Sequence, residues 1–263
     1  MKQSPWLRLI MVLTYIFIFS PIIVVMVMSF NSSQYGTLPF EFSTRWYELL
    51  FSSRNLGRAT WLSIWFSFLV TCTVSVVGLL TSLGLRRMKP KWAQSFIAWL
   101  NLGVVIPWLV LGVALLMIFN FVGLGRSYPG MFLGNCICVL PYVVLLVYPA
   151  LMALDRNIEY AARTMGASNG RTLFTIVLPG ILPALLASSL MAFMVCFNNF
   201  VIQYYLAPFG VRTLPMEIYN LVRVGYKPDI NALATIMALL SIALVLVVNR
   251  LGRGKEGKFL EEL

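Results

Sequence analysis

The chain has 263 residues, 60% of them hydrophobic and 11% charged, with a mean hydropathy of +0.85. Soluble domains carry about 25% charged residues, so the composition excludes an ordinary water-soluble enzyme and points to an integral membrane protein. The formal charge of +11 comes without a basic face interleaved with exposed aromatics, which argues against nucleic-acid binding, and the absence of histidine excludes His-based catalysis.

The charge-free runs 9–40, 59–85, 92–125, 127–154, 172–211 and 230–249 each reach the about 20 residues that a spanning helix requires. They predict an all-α integral membrane chain of six transmembrane helices, a single domain over 1–263. The first run holds Ser20-Pro21 and no small-residue cleavage site, so it is read as a retained helix. In the segment 31–58, Trp46, Tyr47 and Glu48 suggest a short interfacial helix. Arg86, Arg87, Lys89 and Lys91 surround Pro90 in a tight turn between the second and third runs. Residues 126–130 close the third and fourth runs, 155–182 form a long polar loop, and 207–229 form another with Pro208, Gly210, Pro215 and Pro228. Placing both termini in the cytoplasm puts thirteen Lys and Arg residues inside and seven outside, the bias the positive-inside rule expects. Cys72, Cys136, Cys138 and Cys196 all fall within runs, without the spacing of a disulfide framework or a zinc site.

Residues 155–165 have the Ala, Arg, Glu and Met of a helix, with Asn157 able to cap it and Glu159 near its positive N-terminus. Gly166 permits a sharp turn, Ser168 or Asn169 can cap a second short helix, and Pro179 and Pro183 are expected to end that helix. Two short helices anchored to spans on both sides would make a stiff lever. In the fifth run, Ser189, Ala192, Cys196, Asn199 and Gln203 recur at three- and four-residue spacing and share one helical face, flanked by Asn198. Polar groups at that depth need another helix, water or solute as a partner. The small members of the stripe suit helix packing. The candidate solute contacts are Asn198, Asn199 and Gln203, with Phe197, Tyr204 and Tyr205 able to add cation–π attraction of about 0.5–2 kcal/mol each.

No GxxxxGK[ST] phosphate loop occurs, so any ATP would have to be hydrolysed by a partner. An intramembrane hydrolase would need a Ser–His, Ser–Lys or paired-Asp site that the runs lack. An ion-coupled carrier would be expected to show intramembrane acids and inverted repeats. A channel or a structural membrane subunit is compatible with the hydropathy but leaves the 155–182 loop unexplained.

Tyr160-Ala161-Ala162, Gly166 and Ile176-Val177-Leu178-Pro179 resemble, in type and spacing, the Glu-Ala-Ala loop of permease subunits in binding-protein-dependent ABC importers. Tyr160 stands at the usual Glu position and Glu159 lies one residue upstream. Ser29-Phe30-Asn31-Ser32-Ser33, Trp46-Tyr47, Thr213-Leu214-Pro215-Met216-Glu217-Ile218-Tyr219 with Val224-Gly225, and Pro228-Asp229-Ile230-Asn231-Ala232-Leu233-Ala234-Thr235 are similar to the second, six-helix permease of spermidine/putrescine importers. The resemblance implies a type I importer permease fold in the bacterial inner membrane and a non-enzymatic transport role without catalytic or metal sites. It implies a second permease subunit, a periplasmic or surface-tethered binding protein, and two ATPase subunits that bind ATP and Mg, this chain binding no cofactor itself. It assigns Glu159, Tyr160, Ala161, Ala162, Gly166, Ile176, Leu178 and Pro179 to ATPase coupling, and 31–58 and 207–229 to the receptor-facing surface. Polyamine permeases of that family carry an acidic pair where this chain has Asn198-Asn199. A dication entering a low-dielectric path loses hydration worth several kcal/mol per charge, which carboxylates offset and amides do not. Two cargoes therefore stay open: a polyamine, or a less cationic solute such as an amino-acid derivative or betaine.

Overall fold

The computed structural model describes residues 5–33, 38–224, 230–239 and 242. They are mostly helical and divide into two compact units, 1–58 with 217–263, and 59–216.

In the first unit, α1 (Pro5–Met28) turns apolar side chains outward along its length, with Phe17 80% exposed, as suits a helix bathed in lipid. The chain then doubles back through a single antiparallel bridge, Asn31 to Phe42, and enters α2 (Arg45–Ser52), the short helix expected around Trp46. Trp46 Nε1 donates to the Asn31 carbonyl at 2.7 Å, and the Ser29 and Tyr47 hydroxyls lie 2.7 Å apart. The Phe30 ring stacks on Phe42 at 5.6 Å and meets Tyr47 at 5.1 Å. The Ser29–Ser33 and Trp46-Tyr47 stretches are thus one hydrogen-bonded knot. The unit also holds the first residues of α3 (Arg54–Arg87), the later part of α11 (Leu214–Val224) and α12 (Ile230–Leu239).

The second unit is built on α3, α6 (Tyr128–Ala153) and α9 (Leu178–Phe197). Its core comprises Val70 and Val74 of α3, Met131, Val139, Val143 and Val147 of α6, and Ile181, Ala192 and Cys196 of α9, all at most 1% exposed. Lipid tails are as apolar as these side chains, so close packing rather than water exclusion favours the assembly. Gly134 shows how close that packing is: a Cβ there would lie 2.2 Å from Leu206 Cδ1. At 34 residues and 1.5 Å each, α3 is about 51 Å long, which exceeds a hydrocarbon core of about 30 Å and leaves Arg58 and Arg86 beyond opposite faces.

Several expectations are corrected. The 92–125 run is not one straight span: α4 (Pro90–Val105) and α5 (Trp108–Phe121) meet at 103°. Pro107 cannot donate a helical N–H and drives Ile106 to an extended ψ of 130°. The 172–211 run breaks at Asn198-Asn199, between α9 and α10 (Phe200–Leu206). Pro179 and Pro183 do not end the second loop helix. Instead α8 (Asn169–Thr172) continues through a π turn, Leu173–Val177, into α9, whose first turn takes Pro179 and whose interior contains Pro183. The Leu178 N–H bonds to the Leu173 carbonyl just before the proline that lacks a donor. The 207–229 loop contains α11. Among the described residues, four helices are long and apolar enough to cross a membrane, or five counting the α4–α5 pair. Residues 240–241 and 243–249 of the sixth run lie outside the described residues.

Candidate functional site

Two places collect the residues singled out by sequence. The first is the 155–182 loop. Its first helix, α7 (Arg156–Thr164), is capped by Asp155, not by Asn157: the Asp155 carboxylate accepts the Asn157 N–H at 2.9 Å. Ser168 caps α8 by accepting the Arg171 N–H at 3.3 Å. Between them Gly166 sits at φ +91°, a conformation that costs other residues strain. Tyr160 is 56% exposed, Ala161 and Pro179 are exposed, and Ala162, Ile176 and Leu178 are half-buried.

Glu159 faces the other way. Its carboxylate accepts from Arg86 Nη1 of α3 at 2.5 Å, and both side chains are nearly buried, at 14% and 8% exposure. Arg86 Nη2 also donates to the Leu154 carbonyl at 3.1 Å, and Arg156 Nη2 donates to the Arg86 carbonyl at 2.9 Å. These three contacts lock the start of the loop to the end of α3. Nothing in the local sequence pairs residues 86 and 159, so only the fold reveals the clamp.

The second place is the break between α9 and α10. The Asn199 side chain caps α10, accepting the Ile202 N–H at 3.1 Å, and donates to Asn135 Oδ1 of α6 at 3.3 Å. Asn135 is itself fully buried and donates to the Met131 carbonyl at 2.8 Å. Gln203 Nε2 donates to the Cys196 carbonyl at 2.7 Å, while Gln203 Oε1 is buried with no hydrogen-bond partner. Asn198 separates from this group: it is exposed and returns its amide to the Met194 carbonyl at 3.0 Å. Phe197 stacks on Phe193 at 5.7 Å, and Tyr204, 41% exposed, meets Tyr205 edge-on at 5.8 Å. The structure therefore joins Asn199 and Gln203 around Cys196 and leaves Asn198 and Tyr204 at the surface of the chain.

Sequence reasoning missed a polar row on α3. Ser63, Ser67, Thr71 and Ser75 recur every fourth residue of α3 and form a hydroxyl ladder. Ser63 accepts the Leu214 N–H at 2.7 Å, and Ser75 lies 2.7 Å from Ser189 of α9. The Ser67 and Thr71 hydroxyls are buried without a partner. Leaving such a group unsatisfied costs about 1–3 kcal/mol, so four such oxygens in this unit, on Ser67, Thr71, Gln203 and Thr213, form a notable concentration.

The profile of the family described as "Binding-protein-dependent transport system inner membrane component" matches residues 74–254, well over half of the chain. The chain belongs to this family. Among curated relatives of this permease, the spermidine/putrescine transport system permease protein PotC of Haemophilus influenzae is 33% identical over 237 residues, 90% of this chain and 92% of that one. PotC of Escherichia coli is 30% identical, covering 92% and 91%. The putrescine transport system permease protein PotI of Escherichia coli is also 30% identical, covering 89% and 86%. Among solved structures, a bacterial ABC transporter involved in import of the acidic polysaccharide alginate superposes with a TM-score of 0.73 at 19% identity, over 94% of this permease and 95% of that chain. The MetNI methionine ABC transporter gives 0.60 at 18% identity, over 77% and 98%. The shared architecture is the type I importer permease fold. This permease is a multi-pass membrane component of a transport system.

Proposed function

We propose that this permease is one of two such subunits in an inner-membrane importer, oriented with both termini in the cytoplasm, and that its cargo is a polyamine. The observation that carries the reading is the 155–182 segment, two capped helices hinged at Gly166 and clamped to α3 through Arg86 and Glu159. A lever tied to a long membrane helix turns a push on its outer face into a displacement of that helix. Tyr160, Ala161 and Pro179 supply the exposed face for an ATPase subunit, and Gly166, Ala162, Ile176 and Leu178 shape it. Two partner ATPases would bind ATP with Mg and provide the push. Glu159 acts within the chain, which accommodates its one-residue offset from the family pattern. A binding protein would deliver solute to the 31–58 and 207–229 segments.

The polyamine assignment is supported by the relatives, whose names specify spermidine and putrescine. Unpartnered oxygens of Ser67, Thr71 and Gln203 are acceptors, the groups an ammonium requires. One observation favours the alternative cargo, an amino-acid derivative or betaine: α3, α5, α6, α9 and α10 contain no Asp or Glu. The deciding experiment reconstitutes the complete importer in vesicles with labelled putrescine, spermidine and glycine betaine. Saturable, ATP-dependent polyamine uptake that betaine does not compete is the expected result. Betaine or amino-acid uptake in its place would establish the second cargo, and no ATP-dependent uptake at all would overturn the proposal.

A further inference from the structure

Where the C-terminal end of α3 meets α7 and α8, the second unit has a half-open cavity of about 350 Å³. That volume falls within the range of about 300–1,000 Å³ typical of small-molecule sites. Four guanidinium groups line it, from Arg86, Arg87, Arg156 and Arg163, against the single carboxylate of Glu159, a surplus of three positive charges. The carboxylate is already engaged by Arg86, and Arg86 Nε is nevertheless buried without a hydrogen-bond partner. Arg87 and Arg163 are exposed and make no ion pair or side-chain hydrogen bond among the described residues. Crowding unneutralised guanidiniums around one hollow is unfavourable unless a counter-charge enters it. Guanidinium forks match phosphate oxygens two at a time, which makes phosphate the anion best suited to several arginines at once. Leu83, Leu173 and Val177 give the wall an apolar stretch beside Tyr160, Asn169 and Thr172.

The geometry points to a binding site for a phosphate-bearing anion in this cavity, with Arg87 and Arg163 as its free ligands and Arg86 as its buried floor. The apolar stretch suits the glycerol and first methylenes of a phospholipid, so an anionic headgroup is the occupant to test first. A soluble phosphate has the same polar chemistry.

The test uses the full chain, purified in neutral detergent, stripped of lipid and monitored by its intrinsic Trp fluorescence. Phosphatidylglycerol is titrated against phosphatidylcholine, and inorganic phosphate against chloride at equal ionic strength. Each titration is repeated on R87Q/R163Q and on K89Q/K91Q, which removes the same charge outside the cavity. Losing two charge-assisted contacts should weaken binding by about tenfold or more in R87Q/R163Q, with K89Q/K91Q unchanged. Binding of phosphatidylglycerol alone identifies a lipid headgroup, and saturable binding of inorganic phosphate identifies a soluble anion. Flat titrations in both arms, as an acidic side chain of another protein being the true occupant would produce, overturn the site. Equal weakening in the lysine control overturns it as well. The readout is binding by this chain alone, so failure of the transport assignment leaves it unaffected.

Discussion

Gly166 holds φ at +91°, and a Cβ built on it would touch nothing within 4 Å. A substitution there would be opposed by backbone strain alone, about 1–2 kcal/mol for a residue with a Cβ. That strain falls on the turn between α7 and α8, the hinge of the proposed lever, so Gly166→Val should abolish ATP-dependent uptake while the amount of chain in the membrane stays normal. Gly166→Asn, whose side chain tolerates the left-handed region, should retain part of the activity. Wild-type uptake by the valine variant would remove Gly166 from the coupling machinery. Asn199 combines two tasks, capping α10 and bonding Asn135. Asn199→Leu should lower thermal stability by about 1 kcal/mol for the lost cap and slow uptake. Asn199→Ser keeps a cap acceptor, so its melting temperature should stay near wild type while its uptake affinity shifts. Unchanged affinity in that variant would reduce Asn199 to a helix cap.

At the scale of elements, the clamp between α3 and α7 is the part most open to a decisive experiment. Removing one partner of a nearly buried ion pair costs about 3–5 kcal/mol, because the other charge is left without compensation. Arg86→Gln and Glu159→Gln should each reduce transport sharply, and the double variant should be less impaired than the sum of the two. That non-additivity, read as uptake in a double-mutant cycle, would fail to appear if Glu159 served an ATPase instead of Arg86. The clamp also marks where sequence reading stops. The turn at Gly166, the cap at Ser168 and the helix around Trp46 were legible because each depends on residues a few positions apart. The Arg86–Glu159 and Asn199–Asn135 contacts were not, since they join positions 73 and 64 residues apart. The ladder Ser63, Ser67, Thr71 and Ser75 could have been found from its four-residue period, but its hydroxyls are short and hydropathy averages conceal them. Pro179 and Pro183 misled for a related reason. Proline disfavours a helix interior on its own, yet the π turn before Pro179 shifts the ladder of bonds to accommodate it.

For the molecule as a whole, hydropathy established membrane residence and the approximate limits of the spans, because those depend only on composition within a window. It says nothing about direction, so the 103° turn inside 92–125 and the break at Asn198-Asn199 were invisible to it. The 14- and 16-residue arms of that turn are about 21 and 24 Å long at 1.5 Å per residue, and neither reaches across a hydrocarbon core of about 30 Å. At the corner the last carbonyls of α4 and the first amides of α5 have no intrahelical partners. Val105 and Leu109 beside them are 77% and 59% exposed. Placed at hydrocarbon depth, each bare amide or carbonyl would cost several kcal/mol, so the corner requires water or a neighbouring protein surface. If a neighbouring subunit provides it, copies synthesised in excess of that subunit are the ones left carrying the penalty. Balanced synthesis of the subunits, and the selective turnover of unassembled copies, would then follow from a single proline at position 107.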